Sequence, residues 1–395
     1  MGLPMPEPNE SGPSPARRIA FRILLLVERG GYAVDLLAGR TATLDARDAA
    51  LAEELVLGTL RWQAQLDWLI RQISGRDPVR LDPEVRVALR LGMYQLRHLD
   101  RIPPHAAVHE SVELVKRSGH GFAAGFVNAV LRKVGRDPVV FPDRATELSH
   151  PAWLLERWER FYGYETALAI ARANLRRPET YVRVPAGASP PESVVLEPTE
   201  VPGCYRVREG RAAGLRIQDI GSQAVVGLLE LTPAMRLLDV CAAPGNKTAQ
   251  ALESGCRVVA CDRHLSRLRR MKDLGCPLVA ADAARPLPFR ARFERILLDV
   301  PCSGTGTLAR NPEIKWRLKP EKLGELHALQ AGLLRNALES LAPGGLLLYV
   351  TCSLEPEENE EVLQEVLGRL PERIVRRLPG REPGDGFFAA VIRSS

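Results

Sequence analysis

Leu346-Leu-Leu-Tyr-Val-Thr-Cys-Ser-Leu-Glu-Pro-Glu-Glu-Asn359 joins a short apolar run to a cysteine, and this segment decides the fold of the surrounding chain. The apolar run follows the Pro343-Gly344-Gly345 turn, which predicts a buried strand. The strand is expected to end at Thr351-Cys352-Ser353, and Pro356 with its acidic neighbours to open a helix. Because open α/β sheets build their sites at the carboxyl edge of the strands, Cys352 is predicted to lie in a functional site.

A second run, Ile296-Leu-Leu-Asp-Val-Pro-Cys-Ser-Gly-Thr-Gly306, has the same layout. It places Cys302 just after another predicted buried strand. A single buried cysteine usually only fills a core, but two strands that each bring a Cys-Ser pair to one edge favour a chemical role. We therefore expect the function of the chain at these two strand ends.

The composition is that of an ordinary globular protein of two or three domains, with 395 residues, 45% hydrophobic and 26% charged. The net charge of +6 permits an anionic partner without requiring one. Seven cysteines without a Cys-x-x-Cys pair argue against a disulfide framework and a zinc site, so no metal is expected. The sequence shows neither a signal peptide nor an apolar run of ~20 residues, which predicts a cytoplasmic protein that does not insert into membranes.

Four regions follow one another along the chain. Residues 1–15 are rich in Pro, Gly and Ser, which predicts a disordered tail. Residues 16–137 show helical spacing of apolar residues and predict an all-α bundle of about seven helices. Residues 138–215 form a small mixed α/β connector. Residues 216–395 alternate strands with helices, which is typical of an α/β domain with a parallel sheet.

Five strands are expected in the last region, at residues 236–240, 257–261, 278–280, 295–299 and 346–350, with a final hairpin that uses residues 387–392. The connector carries a stripe of arginines, namely Arg176, Arg177, Arg183, Arg206, Arg208, Arg211 and Arg216. Such a stripe is usually a solvated surface, but beside a catalytic domain it could steer phosphate groups.

The segment Leu237-Leu-Asp-Val-Cys-Ala-Ala-Pro-Gly-Asn-Lys-Thr248 predicts a strand, a tight turn of small residues and a helix. Small side chains let a ligand approach the backbone, and the start of the helix offers free N–H groups. The segment is neither a Walker loop nor G-x-G-x-x-G, which disfavours nucleoside triphosphates and dinucleotides. Asp262 ends the next strand, about twenty residues on, where a carboxylate suits a ribose diol. Asp282 ends the third strand, so an adenosine-bearing cofactor is expected.

Four motifs of the C-terminal region resemble the RNA cytosine-C5 methyltransferases of the Nol1/Nop2/Sun family. They are Asp239-Val-Cys-Ala-Ala-Pro-Gly-Asn-Lys-Thr248, Asp299-Val-Pro-Cys-Ser-Gly-Thr-Gly306, Asn311-Pro-Glu-Ile-Lys-Trp316 and Thr351-Cys-Ser-Leu-Glu-Pro-Glu-Glu-Asn359. The resemblance covers roughly residues 150–395 and implies a Rossmann-like class I methyltransferase domain.

Four pieces of the N-terminal bundle resemble the helical RNA-binding domain of the NusB antitermination factor. They are Ala16-Arg-Arg-Ile-Ala-Phe21, Leu91-Gly-Met-Tyr-Gln-Leu96, Ala106-Ala-Val-His-Glu-Ser-Val-Glu-Leu114 and Phe126-Val-Asn-Ala-Val-Leu-Arg132. With such a domain in front, the resemblance implies small-subunit (16S) ribosomal RNA as the substrate, free or in an assembling subunit. We expect the enzyme to be a monomer.

The resemblance also implies S-adenosyl-L-methionine as the cofactor. The residues that it implies for binding are Cys241, Ala242, Ala243, Pro244, Gly245, Asn246, Lys247, Asp262, Asp282 and Asp299. Asn246 departs from the family pattern, in which a second glycine is usual at this place.

The two thiols take different roles in this family. C5 of cytosine is too weak a nucleophile to accept a methyl group directly, but a thiolate that adds to C6 makes C5 reactive. The family's Thr-Cys-Ser cysteine attacks and its Pro-Cys-Ser cysteine assists release, which implies that Cys352 attacks and Cys302 assists. Asp299 is expected to bind the N3/N4 edge of the base. Both thiols can reach one base if their strands are neighbours, because adjacent strands lie ~4.8 Å apart.

Two alternatives stay open. A tRNA-directed cytosine-C5 methyltransferase would share the chemistry, and the NusB-like region argues against it. A non-catalytic RNA-binding or antitermination-like factor would share the fold, and the complete pair of cysteines argues against that.

Overall fold

The computed structural model describes residues 12–394, which form two compact units. One unit contains residues 12–157 together with Arg310–Trp316, and the other contains residues 158–309 and 317–394. Residues 1–11 of the predicted tail lie outside the described part, and the first helix begins at Pro15. Within the described residues, no helix is both long and apolar enough to cross a membrane.

The first unit is helical, as predicted. Between residues 12 and 137 the structure contains seven α-helices, at α1 Pro15–Glu28, α2 Ala33–Arg40, α3 Ala46–Arg61, α4 Gln63–Ser74, α5 Pro83–His98, α6 Pro104–Val115 and α7 Ala124–Arg132. Prolines stand at the first position of α1, α5 and α6, where a missing N–H costs no hydrogen bond. Helix α5 is buried along most of its length, which makes it the centre of the bundle.

A segment of the predicted methyltransferase region belongs to this helical unit. The Nζ atom of the buried Lys315 donates to the carbonyl oxygen of Arg61 at 2.8 Å, and Nε1 of Trp316 donates to the carbonyl oxygen of Leu60 at 2.8 Å. The carboxylate of Glu313 accepts the Ala33 N–H at 2.8 Å. Burial, together with the nearby Arg61, lowers the pKa of Lys315 well below its usual value.

Three further helices follow the bundle, at α8 Arg144–Glu147, α9 Ala152–Tyr162 and α10 Tyr164–Asn174. The connector then forms a four-stranded antiparallel sheet from β1 Tyr181–Arg183, β2 Val195–Pro198, β3 Cys204–Glu209 and β4 Arg216–Ile217, in the order β2-β3-β1-β4.

The arginines of the connector are less available than their number suggests. Arg206 pairs with Glu179 and Glu197, and Arg208 also pairs with Glu197. Each of these arginines forms an ion pair with a neighbouring acid. The stripe therefore offers fewer free cations to an RNA phosphate than the sequence alone indicates.

The second sheet has seven strands. They are β5 Arg236–Asp239, β6 Arg257–Asp262, β7 Leu278–Ala280, β8 Phe293–Asp299, β9 Leu341–Thr351, β10 Arg373–Arg377 and β11 Phe387–Arg393, in the order β10-β11-β9-β8-β5-β6-β7. Strands β5 to β9 are mutually parallel, whereas β11 pairs antiparallel with both β9 and β10. All five strands predicted for this region are present, and the predicted fold class is confirmed.

Helices cover this sheet, which explains the continuous apolar sequence of its central strands. They are α11 Ile220–Gly227, α12 Asn246–Leu252, α13 Leu265–Leu268, α15 Pro320–Glu339 and α16 Glu360–Leu367. The short α14 Ile314–Arg317 precedes α15 and lies mostly in the segment that belongs to the helical unit. Along β9, Leu347 and Tyr349 pack into one apolar cluster, while Leu346 and Leu348 pack into another. Successive residues of a strand point to opposite faces, so a strand that is buried on both faces needs apolar residues at every position.

Two details differ from the expectations. Strand β9 begins at Leu341, because the chain on either side of the predicted turn pairs with β8 through a register shift. The helix expected from Pro356 is only a 3₁₀ turn, Pro356–Glu358, and α16 starts at Glu360. The interruption falls at Asn359, whose backbone is not helical and whose side chain binds the loop after β9.

Candidate active site

The two cysteines meet at the carboxyl edge of neighbouring strands. Strands β8 and β9 are parallel partners, with Asp299 opposite Val350. The loops that follow them bring Sγ of Cys302 and Sγ of Cys352 to 3.2 Å from each other. The condition that the two strands are neighbours is therefore met, and both thiols lie where they could contact one base.

Glycine is required where the two cysteine loops touch. The N–H of Gly306 donates to the carbonyl oxygen of Cys352 at 2.9 Å. A Cβ atom at Gly306 would lie 2.5 Å from the carbonyl oxygen of Gly386 and 2.9 Å from that of Cys352, which real side chains do not tolerate. The glycine of the Pro-Cys-Ser-Gly-Thr-Gly motif therefore allows the contact between the loops.

The environment of Cys302 opposes its ionisation. The hydrogen bond with Cys352, burial, and the charges of Cys352 and Glu358 raise the pKa of Cys302 well above its usual value. A thiol with a raised pKa stays protonated at neutral pH and is a poor nucleophile. Once deprotonated, it is a stronger base than an ordinary cysteine thiolate.

A half-buried ion pair lies beside the thiols. The Nζ atom of Lys247 donates to Oδ2 of Asp299 at 2.5 Å. Burial alone would lower the pKa of Lys247, but the charge and hydrogen bond of Asp299 raise it overall, and the charge of Cys352 adds to this effect. Lys247 therefore keeps a positive charge next to the candidate nucleophile.

The turn after β5 is shaped for close approach to its backbone. Gly245 has φ +101°, and a Cβ atom there would lie 2.9 Å from Cγ of Met271. Beneath the turn, the buried Asp239 accepts a hydrogen bond from Oγ1 of Thr248 at 2.6 Å, while its other oxygen has no partner. Burial raises the pKa of Asp239 to about 7.

The acids predicted to bind the cofactor end β6 and follow β7. The carboxylate of Asp262 accepts the N–H groups of His264 at 2.8 Å and Ala243 at 3.3 Å. It is thereby tied to the turn after β5. Asp282 is exposed and accepts the N–H of Ala284 at 3.1 Å, which is the capping role that any acid could play here.

One cavity of about 450 Å³ joins the acids to the thiols. Among the predicted residues it is lined by Cys241, Ala243, Asp262, Asp282, Asp299, Cys302 and Cys352. Five predicted residues of the turn do not line the cavity, namely Ala242, Pro244, Gly245, Asn246 and Lys247. Any role they have in the site is through the conformation of the turn. Asn246 instead accepts a hydrogen bond from Arg216 and donates one to the carbonyl oxygen of Ile217, both at 3.2 Å.

The chemistry of this cavity fits an adenosine cofactor with an aminoacyl chain. Hydroxyl and ammonium groups need oxygen acceptors, which Asp262 and Asp282 provide, and an apolar base needs contacts such as Ala281 and Leu329. Acids at the ends of neighbouring parallel strands lie where open α/β sheets bind nucleotides.

Sequence reasoning missed the polar groups behind the thiols. Ser303 and Ser353, which follow the two cysteines, both bind the buried carboxylate of Glu358. Glu358 lies in the segment from which the fold was predicted, but a glutamate after Pro356 reads there as part of a helix start. Its burial, which the sequence does not reveal, is the signal that marks it.

Two family models match the chain. The model described as "16S rRNA methyltransferase RsmB/F" matches residues 226–376, and the model of the NusB family matches residues 14–136. The two matches fall on the α/β sheet and on the helical bundle, respectively.

Curated relatives and solved structures extend this likeness to nearly the whole chain. The ribosomal RNA small subunit methyltransferase B of Citrobacter koseri is 33% identical, over 93% of this chain and 96% of the relative. The probable ribosomal RNA small subunit methyltransferase B of Bacillus subtilis is 31% identical, over 95% and 98%.

Among solved structures, PH0851 shares the fold with a TM-score of 0.81 at 23% identity, over 98% of this chain and all of that one, 100%. NSun6 from Pyrococcus horikoshii, crystallised with SFG, has a TM-score of 0.54 at 19% identity, over 62% and 98%. These two likenesses concern the fold alone, whereas identity above 30% along almost the full length shows the family. The chain belongs to the ribosomal RNA small subunit methyltransferase B family.

Proposed function

We propose that the protein transfers a methyl group from S-adenosyl-L-methionine to C5 of a cytosine in 16S ribosomal RNA, through a covalent bond between Cys352 and C6. The observation that carries this proposal is the contact of two thiols, 3.2 Å apart, at the edge of the cavity that also contains Asp262 and Asp282. A methyltransferase that acts on an already nucleophilic atom needs no such pair.

The cofactor would be held by the turn from Cys241 to Lys247 and by the acids that follow the strands. Asp262 would accept the ribose hydroxyls, since its oxygens keep lone pairs beyond those used by His264 and Ala243. When bound, the cofactor supplies an activated methyl group on a sulfonium centre. The related fold of NSun6 was solved with SFG, an analogue of this cofactor, which supports the assignment.

The chain's own groups then account for the remaining steps. The Cys352 thiolate adds to C6, and the electron pair released into the ring makes C5 nucleophilic. After C5 has gained the methyl group, it loses its proton, and the C–S bond breaks to restore the aromatic base and the Cys352 thiolate. Cys302 is placed to take the C5 proton after it has lost its own proton to solvent, and its raised pKa makes its thiolate a stronger base than an ordinary cysteine thiolate.

The Lys247–Asp299 pair would stabilise the charges that appear during attack. Addition at C6 pushes electron density onto the ring, which a proton taken up at N3 neutralises, and the Asp299 carboxylate favours this state by accepting hydrogen bonds from the N3–H and N4–H groups. Lys247 fixes the direction of the Asp299 carboxylate through their 2.5 Å contact. Preorganised charges of this kind act strongly in a site from which water is excluded.

The RNA substrate is inferred from the family. Curated relatives named as ribosomal RNA small subunit methyltransferase B align over nearly the whole chain, and the NusB-like bundle, predicted at residues 16–137, is proposed to help hold the RNA. A ribosomal substrate implies action in the cytoplasm, and we propose that one chain acts as a monomer.

The experiment is methyl incorporation from labelled cofactor into 16S ribosomal RNA, with tRNA as the competing substrate and digestion to nucleosides. We expect 5-methylcytidine from the ribosomal RNA, none with Cys352→Ala, and the unchanged yield with Cys276→Ala, which alters a free cysteine outside the pair. Label that appears only in tRNA would favour the tRNA-directed alternative. Bound RNA without any label would favour a non-catalytic factor.

A further inference from the structure

A buried glutamate lies behind the two thiols and contacts neither. The carboxylate of Glu358 has no exposed surface. Its Oε1 accepts the N–H of Ser303 at 2.8 Å and Nε2 of Gln330 at 3.0 Å. Its Oε2 accepts the hydroxyl of Ser353 at 2.5 Å and the hydroxyl of Ser303. Four donors thus converge on one carboxylate, and they come from both cysteine loops and from α15.

Glu358 is itself held in place from two sides. Its backbone carbonyl oxygen accepts the hydroxyl of the buried Tyr349 at 2.7 Å. The next residue, Asn359, accepts the Thr351 hydroxyl at 2.5 Å and donates to the carbonyl oxygen of Ser353 at 3.0 Å. The segment after β9 therefore turns back and forms hydrogen bonds with the loop that carries Cys352.

A carboxylate suits this arrangement, because it has acceptors on both oxygens, which matches four converging donors. A glutamine of the same shape could accept from the Ser303 N–H and from Gln330, but its NH₂ group would donate to the two serine hydroxyls instead of accepting from them. Those hydroxyls lie 3.0 Å apart, so one can then donate to the other, and the second loses its acceptor. Four donors that converge on one side chain point to a role that a packing residue would not have.

We propose that Glu358 is a positioning residue that holds Cys302 and Cys352 in contact, by accepting hydrogen bonds from the serine that follows each cysteine. The inference rests on the proposed function for its purpose, because contact between the thiols lets one attack C6 while the other serves C5. The test of the inference does not depend on that function. The distance between two thiols can be measured without RNA or methyl transfer.

The test uses the full chain in glutathione redox buffers. One oxidised glutathione takes two electrons and the two thiol hydrogens, which leaves two reduced glutathiones and a Cys302–Cys352 disulfide. The equilibrium constant reports how firmly the fold holds the thiols together, since sulfurs at 3.2 Å need move little to reach the ~2.05 Å of a disulfide. Peptide mapping measures the fraction of the pair that is bonded.

We expect Glu358→Gln to lower this equilibrium constant about tenfold, which corresponds to about 30 mV for a two-electron couple. The matched control is Glu361→Gln, which removes the same charge from an exposed position on α16 and should leave the equilibrium unchanged. Both variants should keep the cofactor affinity of the original chain, measured by calorimetry, and its unfolding midpoint. A glutamate that only stabilised the domain would instead change the midpoint and the affinity along with the potential.

An unchanged thiol–disulfide equilibrium in Glu358→Gln would overturn the proposal, and so would an original chain that forms no Cys302–Cys352 disulfide in any buffer. If Glu358→Gln does not fold, Ser303→Ala takes its place, because Ser303 is only half-buried and loses one of the four hydrogen bonds. The expected decrease in the equilibrium constant is then smaller, and an unchanged equilibrium constant would also overturn the proposal. Failure of methyl transfer with a normal equilibrium would reject the proposed function and leave the role of Glu358 standing.

Discussion

The carboxyl edge of the seven-stranded sheet has two halves that are built in different ways. In the cofactor half, at the ends of β5, β6 and β7, Asp262 and Asp282 accept N–H groups from residues two positions further along the chain. In the thiol half, at the ends of β8 and β9, the partners are distant. Cys302 and Cys352 are 50 residues apart in sequence, and Ser303 and Glu358 are 55 apart.

From this difference we propose that each half controls a different part of the reaction. Locally built acids keep their position when the rest of the edge changes, so a substitution there should act on cofactor binding alone. The thiol half exists only when two loops and the 3₁₀ turn Pro356–Glu358 meet. A substitution there should act on the chemical steps and leave the cofactor affinity intact.

Lys247 is the main exception to this division into halves, because it belongs to the turn of the cofactor half and binds Asp299 at the edge of the thiol half. Lys247→Met leaves Asp299 without its partner and removes the positive charge near Cys352. We expect methyl transfer to slow by about 10²–10³, the usual cost of one preorganised charge, with little change in cofactor affinity.

Single-turnover methylation, with cofactor binding measured separately, checks this expectation. Lys322→Met is the control, because Lys322 is an exposed lysine that pairs with Glu325 at the surface. A variant that binds the cofactor poorly but transfers methyl groups at the normal rate when saturated would place Lys247 entirely in the cofactor half.

Asp262 tests the role of the cofactor half by itself. If it accepts both ribose hydroxyls, Asp262→Ala removes charge-assisted hydrogen bonds of about 1.5–3 kcal/mol, or roughly ten- to a hundredfold in affinity. The rate at saturating cofactor should be unchanged. Calorimetry on the folded variant measures the affinity, with the exposed Asp273→Ala as control, and an unaltered affinity would remove Asp262 from the site.

Asp239 is expected to affect the stability of the fold and not the chemical steps. Burial raises its pKa to about 7 in the folded chain, from 3.8 for an ordinary aspartate. Between those two values the folded state keeps a proton that the unfolded state loses, so stability falls as pH rises, by up to about 1.4 kcal/mol per pH unit. Asp239→Asn cannot ionise, and its contribution to the slope should vanish.

Denaturant unfolding at several pH values between 4 and 7 measures that slope. The surface variant Asp273→Asn should keep the slope of the original chain. An Asp239→Asn variant with the same slope as the original would show that Asp239 is not the group that binds the extra proton.

The sequence predicts the cofactor half better than the thiol half for the same structural reason. The strand ends at Asp239, Asp262 and Asp299 follow from apolar runs and spacing, and local hydrogen bonds then complete the cofactor half. The order of strands β8 and β9 as neighbours could only be stated as a condition for the two-thiol mechanism. Glu358 could not be recognised, because its role depends on burial and on a partner 55 residues away.

Long-range contacts also limit what could be predicted elsewhere. The motif that contains Glu313 and Lys315 was assigned to the methyltransferase region by its sequence, yet Lys315 binds Arg61, which lies 254 residues earlier. The arginines of the connector were visible in the sequence, but their acidic partners were not identifiable until the sheet was seen.

The central claim is that Cys352 attacks the base and Cys302 releases the product. A denaturing gel of each variant with target RNA and cofactor tests it most directly, because a C–S bond survives denaturation. In Cys302→Ala the Cys352 thiolate can still add to C6 and C5 can still gain the methyl group, but elimination stalls, so we predict a slow-migrating protein–RNA band. That band should be absent from Cys352→Ala and from the double variant. A band from Cys352→Ala alone would reverse the roles, and no band from either single variant would contradict the two-thiol mechanism.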